Sequence, residues 1–325
     1  MAPGPMPSPE SPPGLHPLLA AGVAARRSQP RYQDVGIAEA RALNRRRNLP
    51  DGATPPIDLL AVEALQIAGP GGTLPLRLYR PSAERPLPLL VYLHGGGFVA
   101  GDLDTHDTIL RRLAREACIL ILSVDYRLAP EHPFPAAVDD ARAATVYALE
   151  AAEALGAGAI LVGGDSAGGA LAAAAAAGVP ELAGLVLLYP VTDLSRIGES
   201  ESYRLFGDGR AGLSTDDMLW NSGLYAPHPI SRGDWRCSPL LLPPGMRLPP
   251  TLVLTAEFDV LRSDGEAFAH LLGARGVAVT RHRMTGANHG FLAAPDAVPQ
   301  VSAAFATIAA WIKSEARGAA FKHRR

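Results

Sequence analysis

The chain has 325 residues, 48% of them hydrophobic and 19% charged, with 30 Lys+Arg against 32 Asp+Glu. The apolar share excludes a wholly disordered chain, and a formal net charge of -2 gives no basic excess for a nucleic-acid partner. Two cysteines, Cys118 and Cys237, are too few for a disulfide framework and lack metal-ligand spacing, so a reducing compartment, the cytoplasm, is expected, with one bridge between them left open.

In chain order, residues 1–14 are Pro-rich and read as a flexible tail without the basic start of a secretory signal. From Leu15 to Arg47, apolar residues at three- and four-residue spacing predict helices, interrupted near Gln29-Pro30. Strands follow near Ala61–Ile67 and Leu74–Tyr79, and Pro75 demotes the second to a sheet edge. Then strands and helices alternate. Leu89–Leu93, Ile119–Val124, Ala159–Val162, Leu182–Tyr189, Thr251–Thr255 and Val277–Arg283 are the strands. Asp107–Glu116, Ala136–Leu155, Ser166–Ala177, Asp264–Arg275 and Val301–Lys313 are the helices. Apolar runs spaced by helices predict an α/β architecture, a mostly parallel central sheet flanked by helices. The more polar stretch 194–237 is too long for a plain loop and reads as an insertion over one sheet edge, forming with the N-terminal helices a helical cap. No apolar run is long enough to span a bilayer, so no membrane partner is expected.

Four places carry chemistry. Gly164-Asp165-Ser166-Ala167-Gly168 lies between a strand and an Ala-rich helix. A sharp strand-to-helix turn projects a serine hydroxyl above the sheet, and flanking glycines remove side chains that would clash. A phosphate-binding loop is the rival reading, but no Walker lysine follows. His94-Gly95-Gly96-Gly97-Phe98 follows a strand, and three glycines let backbone N–H groups of Gly95, Gly96 and Gly97 face a developing oxyanion, joined by the N–H of Ala167. A plain flexible turn is the alternative, and His94 is read as fixing the loop.

His289, on a loop after the last strand, is placed where a serine needs its base. Of the nine histidines, His282 reads as a solvated strand residue, while His106 and His132 are structural or line the site. The acid that orients His289 belongs between serine and histidine in chain order. Asp259, after Thr251–Thr255, fits best; Asp264 looks better placed in the first turn of a helix, and Glu257 is a weaker contender.

These motifs, with Gly101-Asp102-Leu103-Asp104-Thr105-His106, Asp125-Tyr126-Arg127-Leu128-Ala129-Pro130-Glu131-His132-Pro133 and Tyr189-Pro190-Val191-Thr192-Asp193, resemble the hormone-sensitive-lipase family of esterases, in its bacterial GDSAG form, from about residue 15 to 315. Ser263 departs from the pattern, since many relatives carry an acid there. The resemblance implies the α/β-hydrolase fold, with 1–14 a tail, 15–50 N-terminal cap helices, 51–193 and 238–325 the catalytic domain, and 194–237 a cap insertion. It also implies a homodimer through the last strands and helix. The reading is a serine carboxylic ester hydrolase with Ser166, Asp259 and His289 as triad, needing neither metal nor organic cofactor, and acting on uncharged short- to medium-chain esters. Phe98, Leu205, Phe206 and Trp220 are candidates for the substrate pocket, although cap-core roles stay open for them. An amide or carbamate hydrolase with the same triad, and a small-molecule receptor on the same scaffold, are the alternatives.

Overall fold

The computed structural model describes residues 10–49 and 56–322, so residues 1–9 of the expected tail and the expected cap boundary at 50/51 lie outside the described residues. Within the part of the expected tail that is described, residues 10–14, Pro12 is buried, and Leu15 after it is buried as well.

Two helices come first, α1 (Pro17–Arg27) and α2 (Ile37–Asn48), separated by a 3₁₀ turn at Tyr32–Asp34. Pro30 falls in that break, as its missing N–H requires. Arg41 on α2 donates to the carbonyls of Val99 and Ala129 and pairs with Glu131, while Arg45 pairs with Asp102 and Asp104. These contacts fasten α2 onto the loop that follows the glycine motif.

The hairpin β1 (Ala61–Gly69) and β2 (Gly72–Arg80) leads into β3 (Leu87–Leu93), α3 (Asp107–Ala117) and β4 (Leu120–Val124). Next are α4 (Ala136–Glu150), α5 (Ala152–Leu155), β5 (Ala157–Asp165), α6 (Ala167–Ala176) and β6 (Gly184–Leu188). The helix expected over Ala136–Leu155 is therefore broken at Ala151. The insertion carries α7 (Glu201–Phe206), α8 (Thr215–Tyr225) and α9 (Pro229–Arg232). The chain closes with β7 (Thr251–Phe258), α10 (Arg262–Ala274), β8 (Val279–Asn288) and α11 (Pro299–Lys322).

The eight strands form one sheet in the order β1-β2-β4-β3-β5-β6-β7-β8. Pairings from β4 onward are parallel, and β1 and β2 are attached antiparallel. β4 and β6 are buried at every position, which is why they lack polar alternation. Helices flank the sheet in groups, α3 packing with α11, α4 with α6, and α10 along β7 and β8. The edge expectation for β2 is corrected: β2 lies inside the sheet and β1 is the edge. Pro75 is tolerated because its carbonyl, and so the nitrogen on the same side, faces the end of β4. There it accepts from Asp125 N–H, one residue before the 76–79 ladder begins. Cys118 and Cys237 are both free thiols.

Candidate active site

β5 ends in Asp165, α6 begins at Ala167, and Ser166 takes the turn between them with φ 55° and ψ −118°. A non-glycine residue at positive φ is strained, and here the surroundings enforce it. Ser166 N–H donates to Leu188 O at 2.9 Å, and its carbonyl accepts from Gly169 and Val191 N–H at 3.0 and 2.9 Å. A Cβ at Gly168 would overlap the carbonyl oxygen of Leu93, and one at Gly164 would meet Leu93 and Gly168. The two glycines are thus spacers that let the turn press against β3.

Ser166 Oγ stands 2.9 Å from His289 Nε2, and His289 Nδ1 stands 2.7 Å from Asp259 Oδ2. A carboxylate only accepts, so Nδ1 carries the proton and Nε2 is left to accept from the serine hydroxyl. β8 extends to Asn288, further than its hydropathy indicated, and His289 follows at once. Asn288 Nδ2 donates to Ala211 O in the insertion at 2.8 Å, and the Tyr189 ring meets the imidazole edge-on at 5.1 Å. Asp259 is 2% exposed, and its second oxygen accepts from Leu261 N–H. The competing acids are used elsewhere. Glu257 accepts from Gly286 N–H at 2.8 Å, and Asp264 lies buried in the first turn of α10.

The glycine loop lies between His94 and Phe98. His94 is buried, stacks on Tyr126 at 4.2 Å, and burial together with neighbouring His106 pushes its imidazole down to about 4. It is a neutral loop anchor, as expected from sequence. The expectation for Gly95 is corrected: its N–H donates to Asp165 Oδ1 at 2.9 Å and is not free for an oxyanion. Among the described residues, the N–H groups of Gly96, Gly97 and Ala167 have no such acceptor. Gly96 has φ 124° and a Cβ there would overlap Ala100 O, which explains why this loop needs glycine.

Asp165 is the residue that sequence reasoning passed over. Besides Gly95 N–H it accepts from Tyr92 OH at 2.9 Å and lies 3.3 Å from His106 Nε2. Burial by itself raises a carboxyl, but His106, Tyr92 and Gly95 outweigh that and hold Asp165 below the ordinary carboxylate value. His106 accordingly does line the site, with Thr105 Oγ1 at 3.1 Å from its other nitrogen, whereas His132 and His282 are exposed.

A cleft of about 370 Å³ opens over Ser166 and His289, walled by the N-terminal segment, the glycine loop and the insertion. None of the four side chains expected in the pocket lines it. Phe98 stacks on Tyr225 at 3.8 Å inside the core, and Phe206 packs on Phe258 beneath Arg262. Leu205 is 46% exposed, and Trp220 backs Tyr32 while its neighbours Asp217 and Asn221 take the cleft side of α8. Hydrophobicity marked these residues, but the helix faces of a short insertion are set by tertiary packing. Among the described residues no cluster of metal-ligating side chains occurs, and no helix is long and apolar enough to cross a membrane.

A family model described as an alpha/beta hydrolase fold matches residues 90–293. The carboxylic ester hydrolase LipN of Mycobacterium tuberculosis is 46% identical over 71% of this chain and 64% of its own length. An ethyl acetate hydrolase of Pseudomonas putida is 43% identical over 68% of this chain and 72% of its own. The solved structure of a hyperthermophilic esterase from the archaeon Pyrobaculum calidifontis superposes with a TM-score of 0.84 at 36% identity, covering 93% of this chain and 99% of that one. With the strained serine turn, the fold and these likenesses in agreement, the chain belongs to the hormone-sensitive-lipase-like family of esterases within the α/β-hydrolase fold.

Proposed function

We propose that the protein hydrolyses carboxylic esters of short to medium acyl length through an acyl-enzyme, with Ser166 as nucleophile, His289 as base and Asp259 as its orienting acid. The observation that carries this is the unbroken hydrogen-bond chain Asp259–His289–Ser166 at a strained turn, 2.7 and 2.9 Å per link. Ser166 Oγ attacks the ester carbonyl carbon while its proton passes to Nε2. The N–H groups of Gly96, Gly97 and Ala167 receive the oxyanion, aided by the N-terminal end of α6. Collapse expels the alcohol, which takes the proton from Nε2, and water repeats the sequence to release the acid. A buried Asp259 keeps the imidazole in the required tautomer and stabilises the imidazolium.

A cleft of about 370 Å³ favours small esters over long acyl chains. On the same reading, 15–50 and 194–237 are the cap over a catalytic domain of 51–193 and 238–325. The reading extends to a homodimer through the last strands and helix, checked by the particle mass in solution. It also extends to action in the cytoplasm, checked by cell fractionation.

Ser166→Ala is the test. It is expected to fold yet lose about 10⁶-fold in turnover of p-nitrophenyl butyrate, and a fluorophosphonate is expected to label only the unmutated protein. Near-wild-type turnover in the variant would overturn the assignment. Faster cleavage of the matching anilide would move the reading to an amide hydrolase, and absence of labelling would move it to a binding protein.

A further inference from the structure

The wall that the N-terminal segment gives to the cleft is basic: Arg26, Arg27, Arg31 and Arg47 all line it, together with Tyr32. Three of these have partners. Arg27 donates to Gly209 O at 3.0 Å. Arg31 is bidentate on Asp34 and lies 3.7 Å from Asp216. Arg47 is held by neutral acceptors, Gln29 Oε1 at 3.0 Å and Pro30 O at 3.2 Å, with its guanidinium 4.8 Å above the Tyr32 ring. Arg26 has no hydrogen-bond acceptor or carboxylate among the described residues.

The acids of the cleft do not supply the missing charge. Asp208 is paired with Arg210 at 2.6 Å. Asp217 accepts from Ser214 N–H and hydroxyl at 3.0 and 2.7 Å. Asp216 faces Arg31, and Asp165 sits under the glycine loop beside His106. Two guanidinium groups, Arg26 and Arg47, therefore share this wall without an anion. Arg26 is exposed and Arg47 half-buried, so water solvates both, and an anion entering the cleft would meet two guanidinium groups that no carboxylate of the described residues neutralises. The planar fork of arginine suits the paired oxygens of a carboxylate or phosphate, and the bonds that hold Arg47 orient it in advance.

We propose that Arg26 and Arg47 receive an anionic oxygen group carried by the substrate away from the scissile bond, so that the preferred esters are acidic ones, half-esters of dicarboxylic acids above all. This rests on the esterase reading and narrows it: the near-neutral charge of the whole chain pointed to an uncharged ester, whereas the two guanidinium groups on this wall, without a carboxylate partner among the described residues, do not.

The experiment compares kcat/KM, followed by acid release, for monomethyl adipate, methyl hexanoate and methyl 6-(phosphonooxy)hexanoate. In Arg26→Ala the ratio of adipate to hexanoate is expected to fall roughly ten- to a hundredfold, the span of a lost charge-assisted contact, with part of it restored in Arg26→Lys. The wild-type ratio is also expected to fall as salt is raised. A faster phosphate ester than half-ester assigns the wall to phosphate, within the same chemistry. Fluorophosphonate labelling of Ser166 checks that the variants are folded. Hydrolysis of all three esters with ratios indifferent to Arg26 and to salt overturns this inference alone. Hydrolysis of none by the wild type overturns the esterase reading and this one with it.

Discussion

Replacing Asp165 with alanine probes how the glycine loop is held in place. In the wild type a single buried carboxylate oxygen takes Gly95 N–H and Tyr92 OH, both at 2.9 Å, with His106 Nε2 at 3.3 Å. Hydrogen bonds to a charged group contribute about 1.5–3 kcal/mol each, and the donors left behind are buried without partners. The expected loss of stability is therefore about 3–5 kcal/mol, read as a lowered urea midpoint at unchanged slope. Asp165→Asn keeps an acceptor oxygen but not the charge, and about 1–2 kcal/mol is expected. Because Gly95 precedes the two free loop donors, releasing it misaligns them, and kcat is expected to fall about 10²-fold in the folded alanine variant. The pH dependence has a definite sign. A carboxyl held below its ordinary value contributes stability that is complete above the unfolded value of about 3.9 and is lost as pH falls through the folded one. The variants are thus expected to differ from wild type at pH 6 and to converge toward it below about pH 4. An alanine variant within about 1 kcal/mol of wild type, with unaltered kcat, would refute this account of the loop.

Gly168→Ala is expected to abolish folding or to cost more than about 3 kcal/mol, since its Cβ meets the Leu93 backbone and not a side chain that can move; expression and melting temperature check it. Asp259→Asn is expected to keep the fold and lose about 10⁴-fold in kcat by favouring the wrong imidazole tautomer, measured on a chromogenic ester. Asp264 is raised to about 6 mainly by burial, so wild-type stability declines as pH rises from about 4 to about 6. Asp264→Asn is accordingly expected to raise the melting temperature at pH 8 and to lose that advantage near pH 4.5. Ser202→Ala removes the hydroxyl that donates to Val260 O at 2.6 Å beside the Asp259 loop, and a loss of about 1 kcal/mol is expected in urea unfolding.

The parallel sheet was legible because β6 is apolar throughout and β4 nearly so, with Ser123 its one polar residue, a pattern that strands covered on both faces tolerate. The serine, histidine and acid were legible because each follows a strand in a fixed chain order, so position and residue type together single them out. Asp165 escaped because its partners Tyr92, Gly95 and His106 are distant in sequence, and a motif treats its position as variable. Its signal was nonetheless there: an acid between an apolar strand and a helix of alanine, glycine and one leucine has to be buried and needs donors. Phe98 and Phe206 misled because size and apolarity mark core and pocket alike. The arginines of the N-terminal segment belong to no motif, and only the fold brings Arg26 and Arg47 to the cleft that Ser166 also lines.

Every one of the ten residues of α6 is buried, and apart from Leu171 none is larger than alanine. A helix with a single projecting side chain lies close against its sheet and brings the amide at its start beside Ser166. Even a valine in this stretch would push the helix outward and carry that amide with it, so drift here is confined to the smallest residues. The blandest run of the chain is therefore among its least replaceable, and a saturation scan of Ala170–Ala176 should show nearly the intolerance of the glycine loop.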